Sequence, residues 1–523
     1  MSLIPADSSL RQPAFSPPRC PHRGFPIASL PGLLLAIVLV SVLATPARAI
    51  WPFDGLFRRP PLEERATKLL SEAIRTRTVN PPGNERGLAR KLAAHLRRAG
   101  IEHEVIPTPG PEDGPARAAV WGRLRARATG SDQDGAGARP ALILLSHLDT
   151  VPALPSEWSV DPFAGRVWDS FVWGRGALDA KGVTVAHLLT LIAFAESDEK
   201  PDRDLIFLAT PDEETGGELG AGWIVRHHPE LFEGAGYLLT EGGGIQPASD
   251  IEGGRPPVWG VTLTEKAPCW LELRAHGQAG HSSTPTRDAA VPRLIAALDR
   301  IRRAESAIHV TDEVGRMFAA LAPLAPEWDR AGFADLSRAL REDDAFRRRF
   351  LDNPGQNALV RNTVSITVLE GAPKTNIAPA VARAQLDARL LPGESCEEFA
   401  ASIARLVDDD AIEIEQILAF PARASSADTP LYRAIERVAG SRSPAGLVVP
   451  RMIGGFTDAH WFRELGIVAY GFVPRALPRQ EGRRVHGIDE RVSIATLVES
   501  IELSRQIVLA LDAVEREEAK RGD

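Results

Sequence analysis

Cysteine is scarce in this chain, with three among its 523 residues. A small secreted scaffold held together by several disulfides would carry more, so that class is excluded. Cys20 lies in an N-terminal segment that we expect to be removed, which leaves Cys269 and Cys396. A single bridge between these two stays open, but we expect two buried free thiols.

Clusters of basic residues are also missing. Lys and Arg number 61 against 69 for Asp and Glu, which gives a net charge of -8, and they are scattered along the chain. Nucleic-acid binding needs a concentrated positive surface, so we expect no nucleic-acid partner and instead a small-molecule or short-peptide substrate. The length and the 44% hydrophobic content indicate a large core and two domains.

A long apolar run occurs near the N-terminus, at residues 30–44, where the sequence is LPGLLLAIVLVSVLA. Arginines precede this run, and Ala47 and Ala49 follow it at the small-residue positions that a signal peptidase prefers. We therefore expect residues 1–49 to be a signal peptide and the protein to be exported, either periplasmic or secreted. An uncleaved N-terminal membrane anchor is the alternative, because residues 27–44 almost reach the length of a membrane span.

Short apolar runs bounded by turn residues predict strands that are buried on both faces, and they read ALILLSH, LIFLAT, GYLLTEG and IVAYGFVP. The segment GVTVAHLLTLIAFAESDE, between the first two runs, has the length of a crossover helix. This pattern predicts an α/β fold with a mostly parallel sheet flanked by helices, formed by residues 50–260 and 415–523. Between them, residues 261–414 alternate apolar and polar positions, which predicts an inserted α+β domain.

Histidines and carboxylates follow the predicted strands where each strand ends. At strand ends lie His147, Asp149, Glu213, Glu214 and Glu241. Asp179 lies in the loop GRGALDAKG before the crossover helix, and His486 lies near the other end of the chain. Ligands gather at the carboxyl ends of strands in open α/β sheets. Imidazole and carboxylate ligands in this mixture suit two divalent ions that share a bridging carboxylate, zinc first, with cobalt or manganese as substitutes.

The spacing within two of these motifs separates the expected roles. Residues two apart on an extended segment point to the same side, so Asp149 can orient His147 and raise its basicity. The adjacent Glu213 and Glu214 project differently. One of them can bind metal while the other takes a proton.

Seven motifs occur in an order that resembles the dinuclear zinc aminoacylase/carboxypeptidase family, which includes carboxypeptidase G, carboxypeptidase S and succinyl-diaminopimelate desuccinylase. They read SHLDTVP, GRGALDAKG, TPDEETGG, GHSSTP, TNIAPAVARAQLDARLLPG, GGFTDAHWF and VHGIDERV. The similarity runs from about Pro61 to Leu511, and the long segment 304–356 is most similar to the carboxypeptidase S branch.

The resemblance implies a role for each matching position. Asp179 would bridge the metals, His147 and Glu241 would complete one site, and Glu214 and His486 would complete the other. Glu213 would be the general base and Asp149 the residue that orients His147. His281 would approach the scissile carbonyl, often across a dimer, and Asn376 and Arg389 would hold the substrate carboxylate. The inserted domain would be a lid and dimerisation domain, and the peptide between Asp179 and Ala180 would be cis.

These residues predict a metal-dependent hydrolase that releases an amino acid from an N-acyl amino acid or a short peptide. Two alternatives stay open, which are net synthesis of the acyl amino acid and a catalytically silent relative that acts as a binding module. The stretch WSVDPFAGRVWDSFVWGRG offers either an apolar acyl pocket or ordinary packing.

Overall fold

The computed structural model describes residues 59–110, 114–127, 139–250 and 256–522. The predicted signal peptide or anchor at residues 1–49 lies outside these ranges. Among the helices within them, none is both long and apolar enough to cross a membrane.

The strands form one large sheet and three smaller ones. In chain order they are β1 (Glu102–Pro107), β2 (Ala118–Leu124), β3 (Ala141–His147), β4 (Arg166–Trp168), β5 (Phe171–Trp173), β6 (Leu205–Thr210), β7 (Ala235–Thr240), β8 (Gly244–Gln246), β9 (Val258–Glu265), β10 (Ala267–His276), β11 (Gly280–His281), β12 (Thr363–Glu370), β13 (Ile377–Ala378), β14 (Val381–Leu390), β15 (Ile412–Ala419), β16 (Leu447–Ile453), β17 (Val468–Gly471) and β18 (Arg491–Ser493).

The α-helices lie between these strands and after them. They are α1 (Leu62–Arg75), α2 (Arg86–Arg98), α3 (Lys181–Glu196), α4 (Ala221–His227), α5 (Ala290–Arg303), α6 (Asp312–Leu321), α7 (Glu327–Ala334), α8 (Leu336–Glu342), α9 (Asp344–Asp352), α10 (Pro354–Leu359), α11 (Cys396–Val407), α12 (Pro430–Arg442), α13 (Ala459–Glu464), α14 (Arg479–Gly482) and α15 (Ile494–Gly522).

The large sheet has the strand order β1-β2-β6-β3-β7-β17-β9-β16, and β8 pairs with β9. Its central strands β6, β3, β7 and β17 are parallel, as the apolar runs predict. Leu142 and Leu144 of β3 face the core formed with α1, α2, α3 and α15, whereas Ile143 and Leu145 face the core formed with α4 and α13. Helices therefore cover both faces, which confirms the predicted α/β architecture.

Helix α3 is the predicted crossover between β3 and β6, and nearly all of its side chains are buried. The two amphipathic helices that open the described chain are α1 and α2. Gly100 follows α2 with a φ of 71°, in the left-handed region that a glycine tolerates at a helix end. The sequence pattern predicts each of these three elements.

The segment predicted to be an inserted lid domain contains the antiparallel sheet β12-β14-β10-β15, which we call the lid sheet. Helices α5 and α11 pack on one face of this sheet, with Leu271, Leu273 and Leu294 in their shared core. The change of sheet falls later than the predicted limits at 261 and 414, since β9 pairs with β16 of the large sheet up to Glu265 and β15 pairs with β10 up to Ala419.

The long segment 304–356 packs against the large sheet. It forms α6 to α10, whose Phe318 and Phe350 share a core with Val449 and Met452 of β16. This segment therefore covers the edge of the large sheet, although it interrupts the lid in sequence.

The expectation of two free thiols is wrong. Cys269 in β10 and Cys396 at the start of α11 form a disulfide, across 127 residues of chain. The lid fold brings the two thiols together because α11 packs against the sheet that contains β10. Sequence spacing alone carries no signal for this pairing.

Candidate active site

The candidate ligands converge at one edge of the large sheet. His147 is the last residue of β3, and Glu213 and Glu241 lie just beyond the ends of β6 and β7. These three strands are parallel neighbours, so their carboxyl ends meet. Asp179 precedes α3, and His486 lies in the loop before β18. The fold thus brings His486 close to residues that lie far earlier in the sequence.

Two groups of possible metal ligands share one carboxylate. His147 Nε2 lies 2.9 Å from Asp179 Oδ1 and 3.3 Å from Glu241 Oε1. His486 Nε2 lies 3.1 Å from Asp179 Oδ2 and 3.2 Å from Glu214 Oε2. Each oxygen of Asp179 therefore faces a different histidine, which is the arrangement that a carboxylate bridging two ions requires. The peptide between Asp179 and Ala180 is cis, which confirms that expectation.

Burial and crowding shift the pKa values of this cluster. Burial raises the pKa of Glu241 to about 7 and that of Glu213 well above its usual range. Burial would also raise the pKa of Asp179, but the hydrogen bonds with His147 and His486 lower it below its usual range. Desolvation is thus the main cause of the raised pKa values, and the contacts with the two histidines are the main cause of the lowered one.

Asp149 contacts both His147 and the segment that contains Glu214. His147 Nδ1 lies 3.1 Å from the main-chain oxygen of Asp149 and 3.5 Å from its carboxylate Oδ1. The other carboxylate oxygen accepts hydrogen bonds from Asn80 Nδ2 at 2.8 Å and from the main-chain N–H of Glu214 at 3.2 Å. Asp149 thus contacts His147 mainly through its main chain, while its carboxylate fixes the segment that contains Glu214.

Glu213 and Glu214 project in different directions from one 3₁₀ turn. Glu214 accepts a hydrogen bond from the N–H of Val151 at 3.2 Å. Glu213 is buried, and its Oε2 lies 3.9 Å from His147 Nε2. It therefore lies beside the first ligand group without belonging to either group.

The resemblance assigns three further residues to the lid, which are His281, Asn376 and Arg389. Pairing of β11 with β13 places His281 next to Asn376, and both are exposed. His281 lines an open cavity of about 640 Å³. Arg389 binds Asp387 through two hydrogen bonds, at 2.6 and 3.1 Å, and its guanidinium lies 4.9 Å from the ring centroid of Phe456. Among the described residues, no hydrogen bond or ion pair links these lid residues to the ligand groups.

A buried salt bridge joins the two ligand loops, and its role cannot be read from the sequence. Glu490 accepts hydrogen bonds from three main-chain N–H groups within residues 176–179, at 2.7–3.1 Å. Arg175 donates to Glu490 at 2.8 Å and to the carbonyl oxygens of His486 and Gly487, at 3.3 and 3.0 Å. Both residues lie within motifs that suggest chemistry, GRGALDAKG and VHGIDERV, which is the only sequence signal for them.

A second buried ion pair supports the turn with the two glutamates. Arg117 binds Glu85 through two hydrogen bonds of 3.1 Å and Asp212 through one of 2.8 Å. Asp212 also accepts from the hydroxyl of Thr215 and the N–H of Leu219, each at 2.8 Å. Asp212 has a φ of 79°, a conformation that these contacts hold in place.

Comparison with known proteins finds a matching family profile and related sequences. A family profile described as peptidase family M20/M25/M40 matches residues 143–510. An N-fatty-acyl-amino acid synthase/hydrolase of Xenopus tropicalis is 30% identical over 383 residues, which cover 71% of each chain. A probable carboxypeptidase S-like protein of Dictyostelium discoideum is 28% identical over 357 residues, which cover 68% of each chain.

Solved structures share the fold at low identity. An M20 family metallo-carboxypeptidase from Sulfolobus solfataricus has a TM-score of 0.65 at 18% identity, covering 86% of this chain and 99% of its own. Human carnosine dipeptidase 1 has a TM-score of 0.62 at 17% identity, covering 87% of this chain and 100% of its own.

Proposed function

Because the chain belongs to peptidase family M20/M25/M40, we propose that it hydrolyses the amide bond of an N-acyl amino acid or short peptide and releases an amino acid with a free carboxylate. The observation that carries this proposal is the pair of histidine–carboxylate groups that share Asp179, with the buried Glu213 beside them. Membership of the family makes the chain a peptidase- or aminoacylase-type hydrolase. The binding-module alternative is disfavoured because every expected ligand is retained and brought together.

The donor set fits two divalent ions. His147, Asp179 and Glu241 would hold one ion, and Asp179, Glu214 and His486 would hold the other. Nitrogen and carboxylate donors in this number suit zinc, with cobalt or manganese as substitutes. When bound, such ions polarise an amide carbonyl and lower the pKa of water.

Glu213 is the proposed general base and acid. It is buried beside the first ligand group and belongs to neither group, so its carboxylate can take a proton from the attacking water and deliver that proton to the leaving nitrogen. The water oxygen forms a bond to the acyl carbon, the C–N bond breaks, and the products are a carboxylic acid and an amino acid. Glu214 remains bound to Val151 and faces His486, so it is not free for this task.

The proposal also gives three lid residues a role in binding the substrate. We assign His281 to the developing oxyanion, and Asn376 and Arg389 to the substrate carboxylate, which a guanidinium can bind through two hydrogen bonds. The exposed β12 edge supports a homodimer through the lid, in which His281 acts across the interface. Among the described residues, His281 makes no hydrogen bond or ion pair with a ligand residue of its own chain, which is consistent with this proposal. A light-scattering mass equal to one chain would contradict this dimer.

Net synthesis is the second candidate, because the Xenopus relative is named as both synthase and hydrolase. One site and one transition state serve both directions, so product and substrate concentrations decide the balance. Peptidase activity is supported in the same way by the name of the carboxypeptidase S-like relative.

The test is amino-acid release by the zinc-loaded chain from a panel of N-acyl amino acids and dipeptides. We expect release by the wild type and a loss of at least about 100-fold in kcat for Glu213→Gln, because loss of general base catalysis costs about that much. Glu218→Gln is the matched control, since Glu218 is an exposed glutamate of the same loop. No release from any substrate by the wild type would contradict the hydrolase proposal, and unchanged kcat in Glu213→Gln would contradict the role of Glu213.

We also propose export, either to a periplasm or out of the cell. The Cys269–Cys396 disulfide supports this proposal, because disulfides form and persist in oxidising compartments. N-terminal sequencing of the mature protein tests it, with cleavage after Ala49 as the expected result and an intact N-terminus as the result that favours an anchor.

A further inference from the structure

The short segment that precedes α2 lies beside the candidate active site. Residues 78–80 run along residues 148–150. The N–H of Thr150 donates to the carbonyl oxygen of Thr78, and the N–H of Asn80 donates to that of Thr150, both at 3.0 Å. Asn80 is also buried. Its main chain is therefore fixed next to one of the segments that form the site.

The side-chain amide of Asn80 joins two parts of the site. Its Nδ2 donates to Asp149 Oδ2 at 2.8 Å and to Thr215 Oγ1 at 3.0 Å. A carboxylate can only accept hydrogen bonds, so the contact with Asp149 requires the NH₂ end of the amide at this position. Asp149 lies two residues after His147, and Thr215 is the last residue of the 3₁₀ turn that begins at Glu213. One neutral side chain thus links the histidine segment to the turn.

The contact also fixes which oxygen of Asp149 faces the histidine. Asp149 Oδ2 accepts from Asn80 and from the N–H of Glu214, the latter at 3.2 Å. The other oxygen, Oδ1, lies 3.5 Å from His147 Nδ1. Because both donors bind Oδ2, Oδ1 remains directed at His147.

The same segment supports the turn by a second route. Gly83, three residues after Asn80, packs against the buried ion pair of Arg117 and Glu85, and a Cβ atom on Gly83 would lie 2.7 Å from both side chains. Arg117 binds Asp212, the residue immediately before the turn. The segment therefore supports the turn at its start through Asp212 and at its end through Asn80.

We propose that Asn80 is a positioning residue that holds Glu213 and Glu214 in place relative to His147. This inference rests on the proposed function, in which Glu213 is the base and the other two residues bind metal. Among the described residues, the Glu213 carboxylate makes no hydrogen bond, and its ion-pair contact with His147 Nε2 spans 3.9 Å. Its placement therefore depends on the turn, and a displacement of about 1 Å can lower a rate by about 100-fold.

The experiment measures kcat and KM of the full chain at saturating zinc, with the best substrate among the N-acyl amino acids and dipeptides. Asn80→Leu and Thr215→Val each remove one side of the link without adding charge. We expect kcat to fall about 10- to 100-fold in both, with little change in KM, as the loss of an outer partner of a metal site does. Thr215→Ser keeps the hydroxyl and should retain the wild-type kcat. Thr215 is exposed, so its substitution leaves the core intact.

Zinc affinity is a second measurement, and it needs no activity. Competition between the metal-free chain and a chromophoric chelator should show weaker zinc binding in Asn80→Leu and Thr215→Val, because Glu214 is a ligand candidate on the same turn. Asn362→Leu is the matched control, since the amide oxygen of Asn362 accepts from the N–H of Leu391 at 2.8 Å. This change should lower the thermal midpoint but leave kcat and zinc affinity unchanged.

The outcomes separate the positioning role from the proposed function. Wild-type kcat and zinc affinity in either Asn80→Leu or Thr215→Val overturns the positioning role and leaves the proposed function intact. A fall of equal size in Thr215→Ser or in Asn362→Leu also overturns it, because the effect would not depend on the hydrogen bonds of Asn80. A wild type that releases no amino acid overturns the proposed function, whereas the zinc affinities still test the positioning role alone.

Discussion

Glu490 connects the two ligand loops although it belongs to neither ligand group. Its carboxylate is fully buried and accepts from the N–H of Asp179, the shared carboxylate, as well as from Arg175. Through Arg175, the same contacts reach the carbonyl oxygen of His486. Outer partners of this kind orient ligands, and their loss typically lowers metal affinity by about 10- to 100-fold.

We therefore expect Glu490→Gln to bind zinc about 10- to 100-fold more weakly than the wild type, because an amide cannot accept from all four donors. Competition with a chromophoric chelator measures this affinity without any activity assay. Asp512→Asn is the matched control, since Asp512 is also buried and accepts from Arg203 and a main-chain N–H, at 2.7 and 2.8 Å. Equal zinc affinity in Glu490→Gln and the wild type would contradict the positioning role.

The residues at strand ends could be found from the sequence, but their supporting partners could not. His147 and Glu241 follow strongly apolar runs, so their placement follows from the parallel sheet. Glu490 accepts mainly from main-chain N–H groups, which every residue except proline has, so no sequence pattern identifies its partners. Arg117 and Glu85 lie 32 positions apart, and only the fold brings them together.

At the scale of elements, the continuous apolar runs predict correctly the strands β3, β6 and β7 and the crossover helix α3, because burial on both sides leaves a strong signal. The alternating pattern is less decisive. Strand β9 is buried throughout, yet it adjoins the half-buried β10 after a single residue, so pattern alone cannot place the change of sheet. The location of α6 to α10 depends on tertiary packing against β16, which the sequence does not show.

The Cys269–Cys396 disulfide predicts the number of free thiols and the effect of reductant on stability. Titration of unfolded, unreduced protein should find no free thiol in the mature chain, since Cys269 and Cys396 are bonded. Reductant should lower the free energy of unfolding by about 2–4 kcal/mol, as expected for a bridge that closes a long loop. A Cys269→Ser/Cys396→Ser variant is the control, because its unfolding should not respond to reductant. Two free thiols per chain would contradict the bridge.

For the whole molecule, buried histidines make stability depend on pH. His187 lies in α3, where burial lowers its pKa to about 3, and burial also lowers the pKa of His460 well below its usual range. Both stay neutral in the folded state while the unfolded chain takes up protons below about pH 6.5. The unfolded state then binds more protons, so stability falls as the pH falls. Glu241 acts in the opposite direction, because its raised pKa favours the folded state at lower pH.

Comparing the free energy of unfolding of the wild type with that of His187→Gln isolates the contribution of His187. We expect the free energy of unfolding of wild type minus His187→Gln to be constant above about pH 7 and to fall by about 1.4 kcal/mol per pH unit between about pH 6 and 4. Groups common to both chains, Glu241 and His460 among them, cancel in this difference. Urea unfolding of both proteins across the pH range, with chelator present, measures it. Parallel stability curves would show that His187 becomes protonated in the folded chain as readily as in the unfolded one, which its enclosure within α3 argues against.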